Sequence, residues 1–286
     1  QTLAPDLKIV APVREWKWTR TQELEFAARH GIEVEATKKS IFSTDQNLWG
    51  RSIEAGILED PWVEPPPETF QWTVDPRQAP DQPEEVEITF DRGKPIALGG
   101  VEKDGIELID DLNKLGGKHG VGRIDHIENR LVGIKSREIY EAPAAVLLHE
   151  AHREIEFLTL SKESLRFKTQ VSQTYADLIY NGLWFSQLHQ DLMAFTVSNQ
   201  QYVSGTVRLK VYKGHVMTVG RKSESSLYRH ELATYEEGDQ YDVSAALGFI
   251  KIHGLGQTTQ AKHQLLKGKS GPRLELPSIL PPDEAK

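Results

Sequence analysis

An α+β fold is predicted by three observations. Apolar residues alternate in short paired runs joined by turns, other stretches follow helical spacing one after another, and the two kinds never alternate regularly as strand–helix–strand units would. The elements follow in order. Ile9, Val10 and Ala11 form an apolar run closed by Pro12, which reads as a buried strand ending where the amide proton is missing. Thr19 and Gln22 then stand at capping-box spacing, Leu24, Phe26 and Ala27 supply apolar positions, and Gly31 can take the left-handed conformation that ends a helix. Ser43 to Ser52 is dense in hydrogen-bonding groups. The segment from Pro61 to Pro83, with seven prolines, reads as an irregular connector.

Beyond it, Val86, Ile88 and Phe90 alternate with Glu87 and Thr89, and an Asp91-Arg92-Gly93 turn leads to Pro95–Leu98. This is a hairpin with one wet face. Ile106, Ile109, Leu112 and Leu115 recur at helical spacing before Gly116-Gly117, which are expected to stop the helix. Short alternating stretches from Val121 to Tyr140 are followed by a helix at about Ala144 to Leu158, with Pro143 in its first turn. Two further helical patterns run from about Ser164 to Tyr180 and from Ser186 to Asn199. Val207, Leu209 and Val211, the Lys213-Gly214 turn and Val216–Val219 make a last hairpin. Gly248 to Ile252 is a short apolar strand candidate, and His263 to Lys286, with four prolines and scattered charge, is expected to be a mobile tail or a partner-ordered arm.

Composition narrows the function. The 286 residues carry 34 basic and 42 acidic side chains, a formal net charge of -8, which argues against a broadly basic nucleic-acid binder. There is no cysteine, hence no disulfide, thiolate nucleophile or cysteine-ligated metal, and a reducing compartment is compatible. No run of about 18 apolar residues occurs, and Gln1 to Val13 lack a signal-peptide layout. The expectation is a soluble cytoplasmic protein without a membrane partner.

Two motifs invite chemistry and lose to simpler readings. His149-Glu150-Ala151-His152 places its histidines three apart, whereas the zinc-protease motif needs four, so a charged, solvated helix face is preferred and no metal site is expected. Gly117-Lys118-His119-Gly120-Val121-Gly122-Arg123 lacks the lysine-serine or lysine-threonine ending of a phosphate loop and opens a strand, so flexible glycines at a strand entry are preferred. Arg208, Lys210, Lys213, Arg221 and Lys222 spread along a hairpin, as a solvated edge would. The stretches Ser43–Ser52 and Asp125–Glu141 combine polar density with apolar and aromatic groups. Composition leaves them open between a binding surface and a strand edge with surface ion pairs.

Ser43-Thr44-Asp45-Gln46-Asn47-Leu48-Trp49-Gly50-Arg51-Ser52 with Leu58-Glu59-Asp60-Pro61 resembles argininosuccinate synthase. So do His119-Gly120-Val121-Gly122-Arg123, Glu128-Asn129-Arg130, Gly133-Ile134-Lys135-Ser136-Arg137, Tyr140-Glu141-Ala142-Pro143, Arg208 to Gly214 and Gly248 to Ile252, in the family's order. The resemblance implies a carbon–nitrogen ligase of arginine biosynthesis that joins citrulline to aspartate. ATP, with Mg2+, is consumed to AMP and pyrophosphate through a citrullyl-adenylate. Carried over by position, the citrulline-binding residues are Ser43, Ser52, Glu128 and Tyr140. No catalytic residue is assigned.

The family's Ser-Gly-Gly-Leu-Asp-Thr loop for ATP and its Gly-Asn-Asp stretch for aspartate do not occur in this sequence. The expectation is therefore an α+β synthetase (catalytic and multimerisation) domain preceded by the last strand and helix of an α/β nucleotide-binding domain. Residues 1–37 would be that remnant, 38–252 the synthetase and citrulline-binding domain, and 253–286 a C-terminal arm or tail of a homotetramer. The chain alone is expected to be inactive. The alternative is a non-catalytic amino-acid-binding or oligomerisation module of the same family.

Overall fold

The computed structural model describes residues 2–33, 42–234 and 242–265. The chain divides into two compact units, 1–227 and 228–286, taken here one at a time. The first opens with α1 (Pro12–Trp16) and α2 (Arg20–Arg29). The capping box at the start of α2 forms, with the Thr19 amide donating to Gln22 Oε1 at 2.8 Å. Gly31 follows with φ +65°. The strand expected at Ile9–Ala11 is absent: the run is irregular and Ile9 is 81% exposed. A strand needs a neighbouring ladder for its amides and carbonyls, and no strand pairs with it among the described residues. The boundary expected near residue 37 lies outside the described residues.

Nine strands form two antiparallel sheets among the described residues. The four-stranded one has the order β1-β2-β7-β6 (β1 Ser43–Gln46, β2 Arg51–Glu54, β6 Arg123–Asn129, β7 Lys135–Glu141). The five-stranded one has the order β5-β4-β3-β8-β9 (β3 Glu84–Asp91, β4 Lys94–Leu98, β5 Val101–Glu102, β8 Gly205–Tyr212, β9 His215–Lys222). Helices α3 (Gly105–Lys118) and α4 (Pro143–Thr159) cover the larger sheet. Their apolar stripes, Leu108 and Leu112 on one and Leu147, Ala151 and Ile155 on the other, meet Ile88, Val207, Leu209 and Val211 in the main core. Helices α5 (Lys162–Tyr180) and α6 (Gln187–Asn199) make an antiparallel hairpin. The architecture is α+β.

Gly116 and Gly117 do not stop α3, which runs through them to Lys118. Both are buried contact points: a Cβ on Gly117 would stand 2.2 Å from the Trp72 carbonyl oxygen, and one on Gly116 would stand 2.7 Å from Pro143 Cβ. The helix ends instead at His119, and Gly120, at φ +71°, turns the chain toward β6. The connector from Pro61 to Pro83 is irregular apart from a short 3₁₀ turn at Pro67–Thr69, as its prolines require.

In the second unit, α7 (His230–Ala233), α8 (Ala245–His253) and α9 (Leu255–Gln260) are helical. The strand expected at Gly248–Ile252 is therefore corrected to part of α8. A short apolar run fits either form, and the preceding Ala245-Ala246-Leu247 supplies strong helix formers that decide it. Most of the expected tail, 266–286, lies outside the described residues. No helix among the described residues is long and apolar enough to cross a membrane.

Candidate functional site

The four-stranded sheet is the scaffold of the site, and its register decides which side chains share a face. Asp45, Ser52, Tyr140 and Ile124 stand across from one another, as do Ser43 and Glu54, Glu138 and His126, and Ser136 and Glu128. Side chains alternate along a strand, so Ser43, Ser52, Glu128 and Tyr140 all emerge on one face, here called outer. The intervening residues Arg51, Ile53, Arg137, Ile139 and Glu141 form the inner face. There Ile53 and Ile139 pack on Leu58, Phe42 and Phe70.

The inner face is held by two buried charges. Glu141, fully buried, accepts from the amides of Gln71, Trp72 and Thr73 at 2.9 Å each, from Thr73 Oγ1 at 2.8 Å and from Arg51 Nη1 at 3.0 Å. Arg137 donates to the carbonyls of Leu58, Asp60 and Val63 at 3.2, 2.7 and 2.9 Å and pairs with Asp125 at 2.6 Å. The proline-rich connector, which has no ladder of its own, thus finds backbone partners on this sheet. That fixes β2 against β7, and with them Ser52 beside Tyr140.

On the outer face the polar groups are only partly satisfied. Tyr140 Oη donates to Glu128 Oε2 at 3.1 Å and Tyr180 Oη donates to Glu128 Oε1 at 3.2 Å. Burial first, and Glu128 second, push both phenols above their ordinary range, so both stay protonated donors at neutral pH. Arg130 Nη2 reaches Glu54 Oε2 at 3.0 Å, Ser136 Oγ at 3.1 Å and Glu138 Oε1 at 3.5 Å. Burial, and then the neighbouring Glu54 carboxyl, push Glu138 up to about 7. The face can therefore present a fixed carboxylate, hydroxyls and a second carboxyl to a ligand bearing N–H donors.

A cavity of about 650 Å³ opens where this face meets α4, lined by Asp45, Trp49, Ser52, Tyr140, His149 and Arg153 among others. Ser52 and Tyr140 line it directly. Glu128 joins through its bond to Tyr140, and Ser43 stands farther along the face, opposite Glu54. Its mouth is shaped by the β1–β2 turn, where Asn47 Oδ1 accepts the amides of Trp49 and Gly50 at 2.8 and 3.2 Å.

The two histidines of the His149–His152 motif diverge. His149 is exposed and meets the Trp49 ring edge-on at 6.1 Å. His152 turns inward, 3.0 Å from Gln200 Oε1 and against Phe90, and burial lowers its pKa. Among the described residues no three histidine or carboxylate groups gather as a metal site would require. The glycines around His119 are packing contacts: a Cβ on Gly122 would lie 2.5 Å from the Pro143 nitrogen. On the larger sheet, Arg208 pairs with Glu87, Lys210 with Glu85 and Lys213 with Asp81.

Glu54, Glu138 and Tyr180 were not among the site residues expected from sequence. Period-two spacing from Ser52 and Tyr140 points to the first two. Tyr180 lies 52 residues from Glu128, on a helix, and carries no local signal.

The family described as "Arginosuccinate synthase C-terminal domain" matches residues 42–260, and the "Arginosuccinate synthase N-terminal HUP domain" matches residues 1–33. The chain belongs to the argininosuccinate synthase family. It is 57% identical over 263 residues to the argininosuccinate synthase of Dehalococcoides mccartyi, covering 92% of this chain and 65% of that protein. The enzyme of Symbiobacterium thermophilum is 53% identical over 265 residues (93% of this chain, 66% of that protein), and that of Brevibacillus brevis 57% over 253 residues (88% and 60%). The chain thus spans a little under two thirds of the length of these argininosuccinate synthases. Within the family match, residues 42–260 contain both sheets and the whole outer face.

Proposed function

We propose that the outer face of the four-stranded sheet is the citrulline-binding surface of an argininosuccinate synthase. The reaction is ATP-dependent ligation: the ureido oxygen of citrulline attacks the α-phosphate, pyrophosphate leaves, and the aspartate amine then displaces AMP from the citrullyl-adenylate. Glu128, with a phenol on each carboxylate oxygen, receives the ammonium group or ureido N–H donors of citrulline. Ser43, Ser52 and Tyr140 supply neutral hydrogen-bonding groups to its other polar ends. The observation that carries this reading is that these four residues, from remote parts of the sequence, share one face of one sheet.

The wider family expectations belong to the same proposal: ATP as a substrate, Mg2+ as its accompanying cofactor, a homotetramer, a cytoplasmic location, and the division into 1–37, 38–252 and 253–286. Calorimetric titration with citrulline tests the site. Glu128→Gln removes charge at the ligand and should weaken citrulline binding by roughly tenfold or more. Equal citrulline affinity in the variant and the parent chain refutes the assignment.

A further inference from the structure

Glu128 is held from two directions, and only one of them belongs to the sheet. Tyr140 reaches Oε2 from β7; Tyr180 reaches Oε1 from the last residue of α5. The end of that helix is well defined. Gly182, at φ +69°, lets the Leu183 amide donate to the Leu178 carbonyl at 2.9 Å and the Gly182 amide to the Ile179 carbonyl at 3.0 Å, the double closure of a Schellman motif. Ser186 then caps α6, accepting the His189 amide. Tyr175 and Trp184 both pack on His189 across the hairpin. Tyr180 thus stands on a braced corner although the residue is 55% exposed. An exposed phenol donating to one oxygen of a carboxylate whose other oxygen is already bonded does little for a core. It fixes the rotation of that carboxylate.

We infer that Tyr180 is a positioning residue, holding the Glu128 carboxylate in the orientation that receives the N–H donors of the amino-acid substrate, and so linking the α5–α6 hairpin to the site. The inference rests on the citrulline reading of this face. Around Glu128 stand Ser136 directly across from it, Tyr140 and Glu138 on β7, Arg130 just past β6, and Tyr180 itself. None of the others supplies a donor to Oε1 in its place among the bonds of this face.

The test uses the full chain with Tyr180→Phe, Glu128→Ala and both together. Tyr180→Phe keeps the ring and should weaken citrulline binding by roughly three- to tenfold. In the Glu128→Ala background, which removes both acceptor oxygens, the same change should have no further effect, because its route to the ligand is gone. Tyr175→Phe, on the same hairpin but bonded to His189 and Met193, should bind as the parent chain does. Urea denaturation of the parent, Tyr180→Phe, Glu128→Ala and the double variant reads the contact without ligand, and Tyr180 and Glu128 should be coupled. Unaltered citrulline affinity in Tyr180→Phe, or additive losses in the double variant, overturns the positioning role. Should the parent chain bind no citrulline, the functional reading falls, and zero coupling in denaturation would then overturn the Tyr180–Glu128 contact separately.

Discussion

The two faces of the four-stranded sheet carry similar chemistry and treat it in opposite ways. On the inner face, Glu141 and Arg137 are charged and buried, and each is surrounded by groups of opposite polarity: three backbone amides, the Thr73 hydroxyl and Arg51 on the carboxylate, three backbone carbonyls and Asp125 on the guanidinium. On the outer face, Glu54, Glu128 and Glu138 share one arginine and two phenols. A charge whose hydrogen-bonding capacity is filled by the protein is a structural pin. One whose capacity is left partly open retains free energy for a ligand. The comparison predicts that substitutions of like size should act on stability on one side and on binding on the other.

The largest expected effect is at Glu141. Glu141→Gln puts an NH2 where Trp72, Thr73 and Arg51 all present N–H donors, so at least one buried donor loses its acceptor. A loss of about 3–5 kcal/mol is expected, the scale for breaking a buried charged network, measured as the shift in the urea midpoint. A change below about 1 kcal/mol would mean that the connector is held by something other than this carboxylate.

Glu138 gives a smaller effect of opposite sign. Its carboxyl is pushed up to about 7 from an ordinary 4.5, by burial and then by Glu54. The folded state therefore binds the proton more tightly than the unfolded chain. Stability falls as pH rises from about 4.5 to about 7, and the whole cost is present above that range. Glu138→Gln should remove this slope, gaining about 1 kcal/mol at pH 8 and almost nothing near pH 4. Denaturation curves at the two pH values check it, and an equal gain at both would contradict the proton linkage.

How much of this was legible follows from where each signal sits. The hairpins of the larger sheet and the helices α3 and α4 were readable because one apolar stripe faces one core, so period two or 3.6 survives in the sequence. The β1–β2 hairpin was not. Its inner face offers only Arg51 and Ile53 on β2, and its outer face is polar, so no apolar alternation marks the strands. Gly116 and Gly117 misled because glycine ends helices and also admits close packing, and only the tertiary neighbours Trp72 and Pro143 decide between the two. The run at Gly248 is too short for its period to distinguish strand from helix. Of the site, Ser43, Ser52, Glu128 and Tyr140 came through family resemblance, whereas Glu54 and Glu138 follow from register once the strands are known. Tyr180 depends on a helix end in three dimensions, which no local pattern encodes.

The smallest stability effect, and the sharpest division between faces, is expected at Ser52. It stands one residue from buried Arg51 and Ile53, opposite Tyr140, yet its hydroxyl makes only a long 3.4 Å contact to the Asp45 carbonyl. Ser52→Ala removes no filled hydrogen-bond network and opens no cavity in the core. Its effect on unfolding should stay within about 0.5 kcal/mol, against several for Glu141→Gln on the strand beside it. Citrulline binding, in contrast, should weaken by roughly three- to tenfold, since the hydroxyl is one of the partners the ligand would use. Calorimetry and urea denaturation on the same protein separate the two. If Ser52→Ala lowers stability as much as it lowers affinity, the outer face is part of the structural framework and the division between pinned and open charges does not hold.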